Sequence, residues 1–103
     1  MDKYDVFELT GGRGRSASTL VVVLQHRLLM DLQTVVVAPL AAPLATEKSP
    51  RLRPIVQIAG RTHQLQTDRL AAIDKRILGR RIGDVLAESD RVDTAIAVLL
   101  NGF

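Results

Sequence analysis

The two histidines, His26 and His63, are the side chains of this chain best suited to proton transfer near neutral pH. A general acid–base pair of this kind, with Arg61 or Arg69 stabilising phosphate charge, would describe a metal-free ribonuclease. Nothing in the spacing places the two histidines together, so separate surface or loop histidines are the simpler interpretation. No carboxylate–histidine cluster has ligand spacing. The sequence therefore predicts neither a metal site nor a cofactor.

The glycine-rich segment GGRGRS at 11–16 superficially resembles a phosphate-binding loop. It lacks the Gly-Lys-Ser/Thr ending, and no helical pattern follows it. A hairpin tip is the better interpretation. Asp31 and Asp74 are scattered, and Asp68 reads as a local turn or cap rather than a base. The chain has no cysteine, which excludes a thiol nucleophile and fits a reducing cytoplasm.

The chain ends in Asn101, Gly102 and Phe103, directly after an apolar helical pattern. A large apolar residue with a free carboxylate, placed just beyond a packed helix, can insert into a pocket of a partner. The alternative is that Phe103 folds back and completes the helix cap. The residues alone leave both interpretations open.

The charge is unevenly distributed along the chain. The net charge is +3, but residues 48–81 carry nine basic residues against two aspartates, a net +7. A basic middle attracts nucleic acid or an acidic protein segment, although a solvated surface explains it equally well. Arg80 and Arg81 are either contacts for an acidic partner or part of a solvated turn.

The composition predicts one domain covering residues 1–103, with an aliphatic core. The apolar fraction is 47%, whereas aromatic residues make up 3%. A stacking platform for single-stranded nucleic acid is therefore not expected, nor is sequence-specific nucleic-acid binding. No signal peptide or membrane span is indicated. Strands without a polar face in so small a chain favour a homodimer.

Period-two patterns and turn residues predict a mainly β chain with one terminal helix. Pro39 should stop the third strand, and Ala59-Gly60 should join the last two strands in a hairpin. The segment 26–33 is either a short helix or a loop, and 40–53 is a connection. The predicted strands are 4–9, 19–25, 34–38, 54–58 and 61–67.

The C-terminal pattern is the clearest helix. Its apolar residues fall on one stripe, acidic residues lie near its start, and Asn101-Gly102 suits its end. The stripe consists of Val92, Ala95, Ile96, Leu99 and Leu100. The segment 68–78 also has helical spacing at Leu70, Ile73 and Ile77.

Several motifs, in order along nearly the whole chain, resemble the CcdB family of plasmid-addiction toxins. A strand–glutamine segment precedes leucine-rich turns and a strand ending in Pro-Leu, and a terminal helix with a central Ala-Ile closes the chain. The matching segments are LVVVLQ (20–25), LLMDL (28–32), VVVAPL (35–40), PIVQI (54–58), Thr67-Asp68, GRRIGDV (79–85) and DTAIAVLL (93–100).

The resemblance implies a small SH3-like antiparallel barrel with a C-terminal helix, a fold shared with MazF-type ribonuclease toxins. It implies short extended segments at 68–78, against the local helical spacing, and we follow it there. The implied function is that of a non-enzymatic toxin of a type II toxin–antitoxin module in the cytoplasm, serving plasmid maintenance. Such a homodimer traps the complex of the DNA gyrase A subunit with cleaved DNA and is neutralised by a CcdA-like antitoxin.

In the family the last three residues, Trp-Gly-Ile, carry gyrase poisoning, and they map onto Asn101, Gly102 and Phe103. Asn101 replaces the aromatic anchor, so weaker poisoning is expected. An acidic antitoxin is expected to contact arginines of the basic middle: Arg51, Arg53, Arg80 and Arg81. Two rivals stay open. One is an RNA-cleaving toxin on the same fold that uses His63, and the other is a homologue that binds an antitoxin without poisoning gyrase.

Overall fold

The computed structural model describes residues 1–10, 19–43 and 51–102, which form seven strands and one helix. The glycine-rich segment 11–16 and Phe103 lie outside the described residues. Short 3₁₀ turns follow β2, β5, β6 and β7. The elements are β1 Asp5–Leu9, β2 Leu20–Val23, β3 Thr34–Ala41, β4 Ile55–Ile58, β5 Arg61–Leu65, β6 Ala71–Asp74, β7 Leu78–Asp84 and α1 Ser89–Asn101.

The strands form one antiparallel sheet in the order β4-β5-β3-β2-β1-β7. Strand β3 has two partners along the same side. Its end pairs with β5 through Leu40 and Leu65, and its first half pairs with β6 through Val35 and Ile73. The sheet curls into a half-barrel, and α1 follows its last strand, β7, in the chain. The predicted fold, mainly β with an antiparallel barrel-like sheet and a C-terminal helix, is confirmed.

Two apolar clusters occupy the two sides of the central strands. Val22 of β2 belongs to the cluster that reaches Val92 of α1, and Val21 and Val23 belong to the other cluster. All three valines are at most 2% exposed. The prediction that this strand is central and covered on both faces is confirmed. A single copy of the chain already provides that cover.

Pro39 lies within β3 and does not stop it, contrary to the sequence prediction. Leu24 N–H donates to Val36 O, so alternation directs the nitrogen of Pro39 away from β2. On the far side, Pro39 lies between the end of β5 and the start of β6, where no strand requires an N–H. The missing N–H of Pro39 therefore removes no hydrogen bond between strands. The carbonyl of Pro39 still accepts a hydrogen bond from Gln66 N–H.

The predicted hairpin across Ala59-Gly60 is confirmed. Both residues have positive φ, 51° and 78°, as a two-residue hairpin turn requires. Residues 67–77 form a 3₁₀ turn, β6 and a second 3₁₀ turn, and residue 78 begins β7. The extended geometry implied by the resemblance is therefore confirmed, and no α-helix forms at 68–78. The open alternative at 26–33 resolves into a 3₁₀ turn at Arg27–Leu29 and a loop.

No helix in residues 1–10, 19–43 and 51–102 combines the length and apolar character needed to cross a membrane. The helix α1 has 13 residues. At 1.5 Å per residue it is on the order of 20 Å long, short of the hydrocarbon thickness of a bilayer.

Candidate functional site

The last turn of α1 leaves the core before the helix ends. Val92 and Ala95 are fully buried, and Ile96 and Leu99 are half-buried. Leu100 is 70% exposed. The predicted stripe is therefore correct for its first residues and wrong for Leu100 as a core residue. A helical stripe shows which residues share a face, but not how far the sheet beneath them extends.

Gly102 ends the helix in the left-handed conformation, with φ of 82°. Its N–H donates to Val98 O at 2.9 Å, which satisfies one of the terminal carbonyls. Asn101 is the last helical residue, and both Asn101 and Gly102 are exposed. The predicted helix stop is confirmed, and the chain leaves the helix at a solvent-facing position.

The start of α1 is tied to the residues before β1. The Tyr4 hydroxyl donates to the Asp93 carboxylate, and Lys3 Nζ lies 3.3 Å from Asp93 Oδ1. Partial burial, reinforced by the bond to Asp93, raises the pKa of Tyr4 above its ordinary value near 10. Sequence reasoning missed this contact, because Tyr4 and Asp93 are 89 positions apart.

Three of the four arginines predicted to contact an antitoxin form internal ion pairs. Arg53 binds Asp68 through two nitrogens, at 3.0 and 2.7 Å. Arg81 Nη2 lies 3.1 Å from Asp5 Oδ1, and Arg80 Nη2 lies 3.5 Å from Glu8 Oε1. The acidic residues of β1 thus neutralise part of the basic middle. Arg51 has no ion pair within the described part of the chain.

Arg80 and Arg81 lie in β7 and not in a turn. Strand β7 pairs with β1, and this pairing brings Asp5 and Glu8 against the two arginines. The acids of β1 were the available signal, but using it requires the register of the two strands.

The two histidines lie at opposite ends of β3. His26 lies two residues after Leu24, whose N–H donates a hydrogen bond to Val36 O. His26 is therefore near the start of β3. His63 precedes Gln64, which pairs with Ala41 at the other end. At about 3.3 Å per residue, the eight residues of β3 separate the histidines by roughly 25 Å along the strand. They cannot act as one acid–base pair.

Desolvation, with a smaller contribution from the charge of Arg61, lowers the pKa of His63 below 6.5. This shift favours the neutral imidazole of His63. His26 lies in a cleft of about 490 Å³ and caps the next 3₁₀ turn, with its Nδ1 accepting from Leu28 N–H at 3.1 Å. Its Nε2 remains for contact with a ligand. The cleft is lined by Asp2, Lys3, Tyr4, Asp5, His26, Arg27, Arg81 and Leu86.

The aspartates serve local structure. Asp68 pairs with Arg53, and Asp74 accepts from the backbone N–H and the guanidinium of Arg76. The hydrogen bond from the Arg76 side chain is the main cause that lowers the pKa of Asp74 to about 2. Asp31 and Asp74 line the same surface pocket. Within residues 1–10, 19–43 and 51–102, no three acidic or histidine side chains are grouped to hold a metal ion.

Comparison with known proteins gives one family match. The model of the family described as CcdB protein matches residues 3–102, nearly the whole chain. No curated protein matches the sequence.

Solved structures of bacterial toxins share the fold. An endoribonuclease in complex with its cognate antitoxin, from a mycobacterial species, is 17% identical, with a TM-score of 0.79 over 97% of this chain and 94% of that one. The Mycobacterium tuberculosis toxin MazF-mt6 is 18% identical, with a TM-score of 0.74 over 94% of this chain and 96% of that one. At these identities the likeness establishes the fold alone.

Proposed function

The chain belongs to the CcdB family, and from that premise we propose that it is the toxin of a type II toxin–antitoxin module that poisons DNA gyrase. It acts without chemistry of its own, by trapping the complex of the gyrase A subunit with cleaved DNA. Its place of action is the cytoplasm, where gyrase handles DNA, and its role is plasmid maintenance.

The exposed end of α1 is the observation that carries this proposal. Val92 and Ala95 fix the first turns in the core, whereas Leu100, Asn101 and Gly102 face solvent. A rigid helix that presents its end reduces the entropy lost when the last residues enter a pocket on gyrase. Asn101 and Gly102, followed by Phe103, form the proposed contact with the A subunit.

Incubation of the purified chain with gyrase, ATP and supercoiled plasmid DNA tests the proposal. We expect linear DNA to accumulate after detergent and protease treatment, because a trapped complex holds both strands cleaved. Bovine serum albumin at the same concentration is the negative control. Complete supercoiling at every toxin concentration, with no linear DNA, contradicts the gyrase proposal.

We infer that the toxin works as a homodimer. Three leucines of the loop after β2 are solvent-exposed: Leu28 by 76%, Leu29 by 51% and Leu32 by 50%. Clustered exposed leucines favour a self-complementary apolar contact. Light scattering at micromolar concentration measures this, and a monomeric mass contradicts it.

We infer that a CcdA-like antitoxin neutralises the toxin by folding onto it. The mycobacterial endoribonuclease of similar fold was solved with its cognate antitoxin. The positive charge of residues 48–81, with Arg51, Arg53, Arg80 and Arg81, favours an acidic segment. Association with the antitoxin should therefore slow as salt rises, and a salt-independent rate contradicts the electrostatic part.

RNA cleavage is the second candidate, favoured by the cleft around His26. Arg27 and Lys3 line that cleft beside an imidazole whose Nε2 is available, which is a composition suited to metal-free phosphodiester cleavage. Incubating the chain and its His26→Ala variant with single-stranded RNA distinguishes the two functions. Cleavage that the variant lacks supports the enzyme, whereas intact RNA together with linear plasmid supports the gyrase poison.

A further inference from the structure

A groove of about 390 Å³ lies between the first turns of α1 and the start of β4. It is separate from the exposed end of α1 and from the His26 cleft. Pro54 and Ile55 form an apolar wall, and Ile55 is 37% exposed although it is a large aliphatic residue. The other lining residues are Arg51, Asp90, Arg91 and Thr94.

The two arginines of the groove, Arg51 and Arg91, are exposed and make no hydrogen bond or ion pair with any described residue. Arg53 and Arg76, by contrast, are held by carboxylates of the chain itself. Asp90 lies in the first turn of α1, where the helix dipole stabilises its charge. Among the described residues, the groove therefore carries two guanidinium groups without an ion pair against the one carboxylate of Asp90, a net positive charge that favours carboxylates of a ligand.

The backbone beside the groove belongs to β4, an edge strand among the described strands. Strand β4 is the last strand of the sheet and pairs with β5. Leu65 N–H donates to Pro54 O, so Pro54, Val56 and Ile58 direct their backbone groups toward β5. By alternation, the N–H and C=O of Ile55 and Gln57 point outward. Among the described strands, β4 approaches β7 but forms no backbone ladder with it, so these outward groups can pair with an extended segment.

We propose that this groove binds an extended, acidic segment of the antitoxin, with one apolar side chain against Pro54 and Ile55. Carboxylates of the segment contact Arg51 and Arg91, and its backbone pairs with the outer edge of β4 at Ile55. The partner's identity rests on the proposed toxin function. The described lining residues include no aromatic ring on which a nucleic-acid base could stack, so a peptide fits better than RNA.

The test is a titration of the isotope-labelled full chain with a short synthetic peptide that alternates Glu or Asp with Val, Leu or Phe. We expect the backbone amide resonances of Ile55, Arg91 and Thr94 to shift. Arg91→Glu should weaken binding about fivefold to tenfold, as expected for loss and reversal of a rim ion pair. Arg27→Glu, at an exposed arginine outside the groove, is the matched control and should leave affinity unchanged.

Thr94→Trp provides a second variant at an exposed helical position, and it should block the groove while α1 stays folded. Shifts confined to the loop 27–33, or equal losses from Arg91→Glu and Arg27→Glu, would overturn the proposal. Equal binding of a peptide with Lys in place of every acid would also overturn it. The proposal would also be overturned if Thr94→Trp changed the oligomeric state measured by light scattering but left the peptide affinity unchanged. The groove would then be an interface between copies of the chain.

The gyrase assay on the same preparations separates this proposal from the toxin function. Arg91→Glu should retain DNA cleavage while it loses peptide affinity. If the unsubstituted chain fails to trap gyrase but still binds the peptide at Ile55, the gyrase proposal fails and the groove stands. If the chain traps gyrase and no peptide resonance shift occurs, the groove proposal fails alone.

Discussion

The hydroxyl of Tyr4 lies 2.8 Å from Oδ1 and 2.9 Å from Oδ2 of Asp93 and joins the segment before β1 to α1. Tyr4 has a φ of 77°, a conformation that non-glycine residues adopt at a cost of about 1–3 kcal/mol. Its N–H donates to Val23 O, and its C=O accepts from Val85 N–H. Tyr4 thus connects β2, the segment after β7 and the first turns of α1.

Removing the Tyr4 hydroxyl should loosen the helix. We expect Tyr4→Phe to lower the free energy of unfolding by about 0.5–1.5 kcal/mol, the net contribution of one such hydrogen bond. Urea denaturation measures the change. Lys3→Met is the control, because its exposed ion pair with Asp93 contributes less. A larger loss in Lys3→Met than in Tyr4→Phe would contradict the assignment.

Gly79 is required where β7 passes close to β1. A Cβ at this position would lie 2.9 Å from Thr10 Cγ2 and 3.0 Å from Glu8 O. Thr10 is itself held by two hydrogen bonds to Ile77 O, so it cannot move away freely. We expect Gly79→Ala to destabilise the fold by about 1–3 kcal/mol, the usual cost of overpacking.

Gly83 supplies the matched control for this prediction in the same strand. A Cβ at Gly83 would meet nothing within 4 Å. We expect Gly83→Ala to be neutral or slightly stabilising in thermal unfolding. Equal melting temperatures for the two alanine variants would show that the close approach at Gly79 does not matter.

The ion pair of Arg53 with Asp68 should make stability depend on acid pH. The hydrogen bond from Arg53 is the main cause that lowers the pKa of Asp68 below its ordinary value of 3.8, and burial opposes it. Because the folded-state pKa is lowered, the stabilisation is fully present above the unfolded pKa. It is lost as pH falls below about 4 and through the folded pKa.

Arg53→Gln should remove that dependence. Both side chains are about a quarter exposed, 25% and 28%, so we expect a loss of about 0.5–1 kcal/mol at neutral pH. The difference from the unsubstituted chain should shrink as pH falls below about 4. Urea denaturation along a pH series measures this, with Arg27→Gln as the control. A difference that stays constant to low pH would contradict the linkage.

Local sequence patterns correctly predicted the elements whose conformation is determined by residues adjacent in the chain. The hairpin turn and the helix stop both depend on positive φ, which Gly60 and Gly102 adopt without a Cβ clash, whereas Ala59 adopts it at a cost. Helical spacing failed at 68–78. Leu70, just after a 3₁₀ turn, packs on one apolar cluster, and Ile73 of β6 packs on the other. There the family resemblance, which reflects the whole fold, was correct.

The exposure of the proposed gyrase contact was predictable from the helix pattern, whereas contacts that depend on packing were not. Asn101 and Gly102 are exposed as their position after the helix stripe suggests. The contact of Tyr4 with Asp93 depends on where α1 packs, and the position of Ile55 in an edge strand depends on the strand order. No local sequence pattern specifies either of these. The same holds for Arg81, whose acidic partner Asp5 is brought near by pairing of β7 with β1.

Deleting residues 101–103 should abolish gyrase poisoning and leave the fold intact. The core contacts of α1 come from Val92 and Ala95, and Leu100 is already 70% exposed. The truncated chain loses the Gly102 cap, so the melting temperature should fall only slightly, by the equivalent of about 1 kcal/mol. Phe103 is the expected anchor, since burial of an aromatic side chain contributes roughly 1.5–3 kcal/mol to binding.

Asn101→Trp is the complementary variant and should strengthen gyrase poisoning. It adds the aromatic anchor that the family has at this exposed position, so less toxin should be needed for half-maximal DNA cleavage by gyrase. Melting curves of the truncated and Asn101→Trp chains run beside the cleavage assay. A large fall in melting temperature on truncation, with gyrase cleavage unchanged in the same preparation, would show that the tail serves the fold and not the target. Because Gly102 lies outside the core, the structure favours the opposite result.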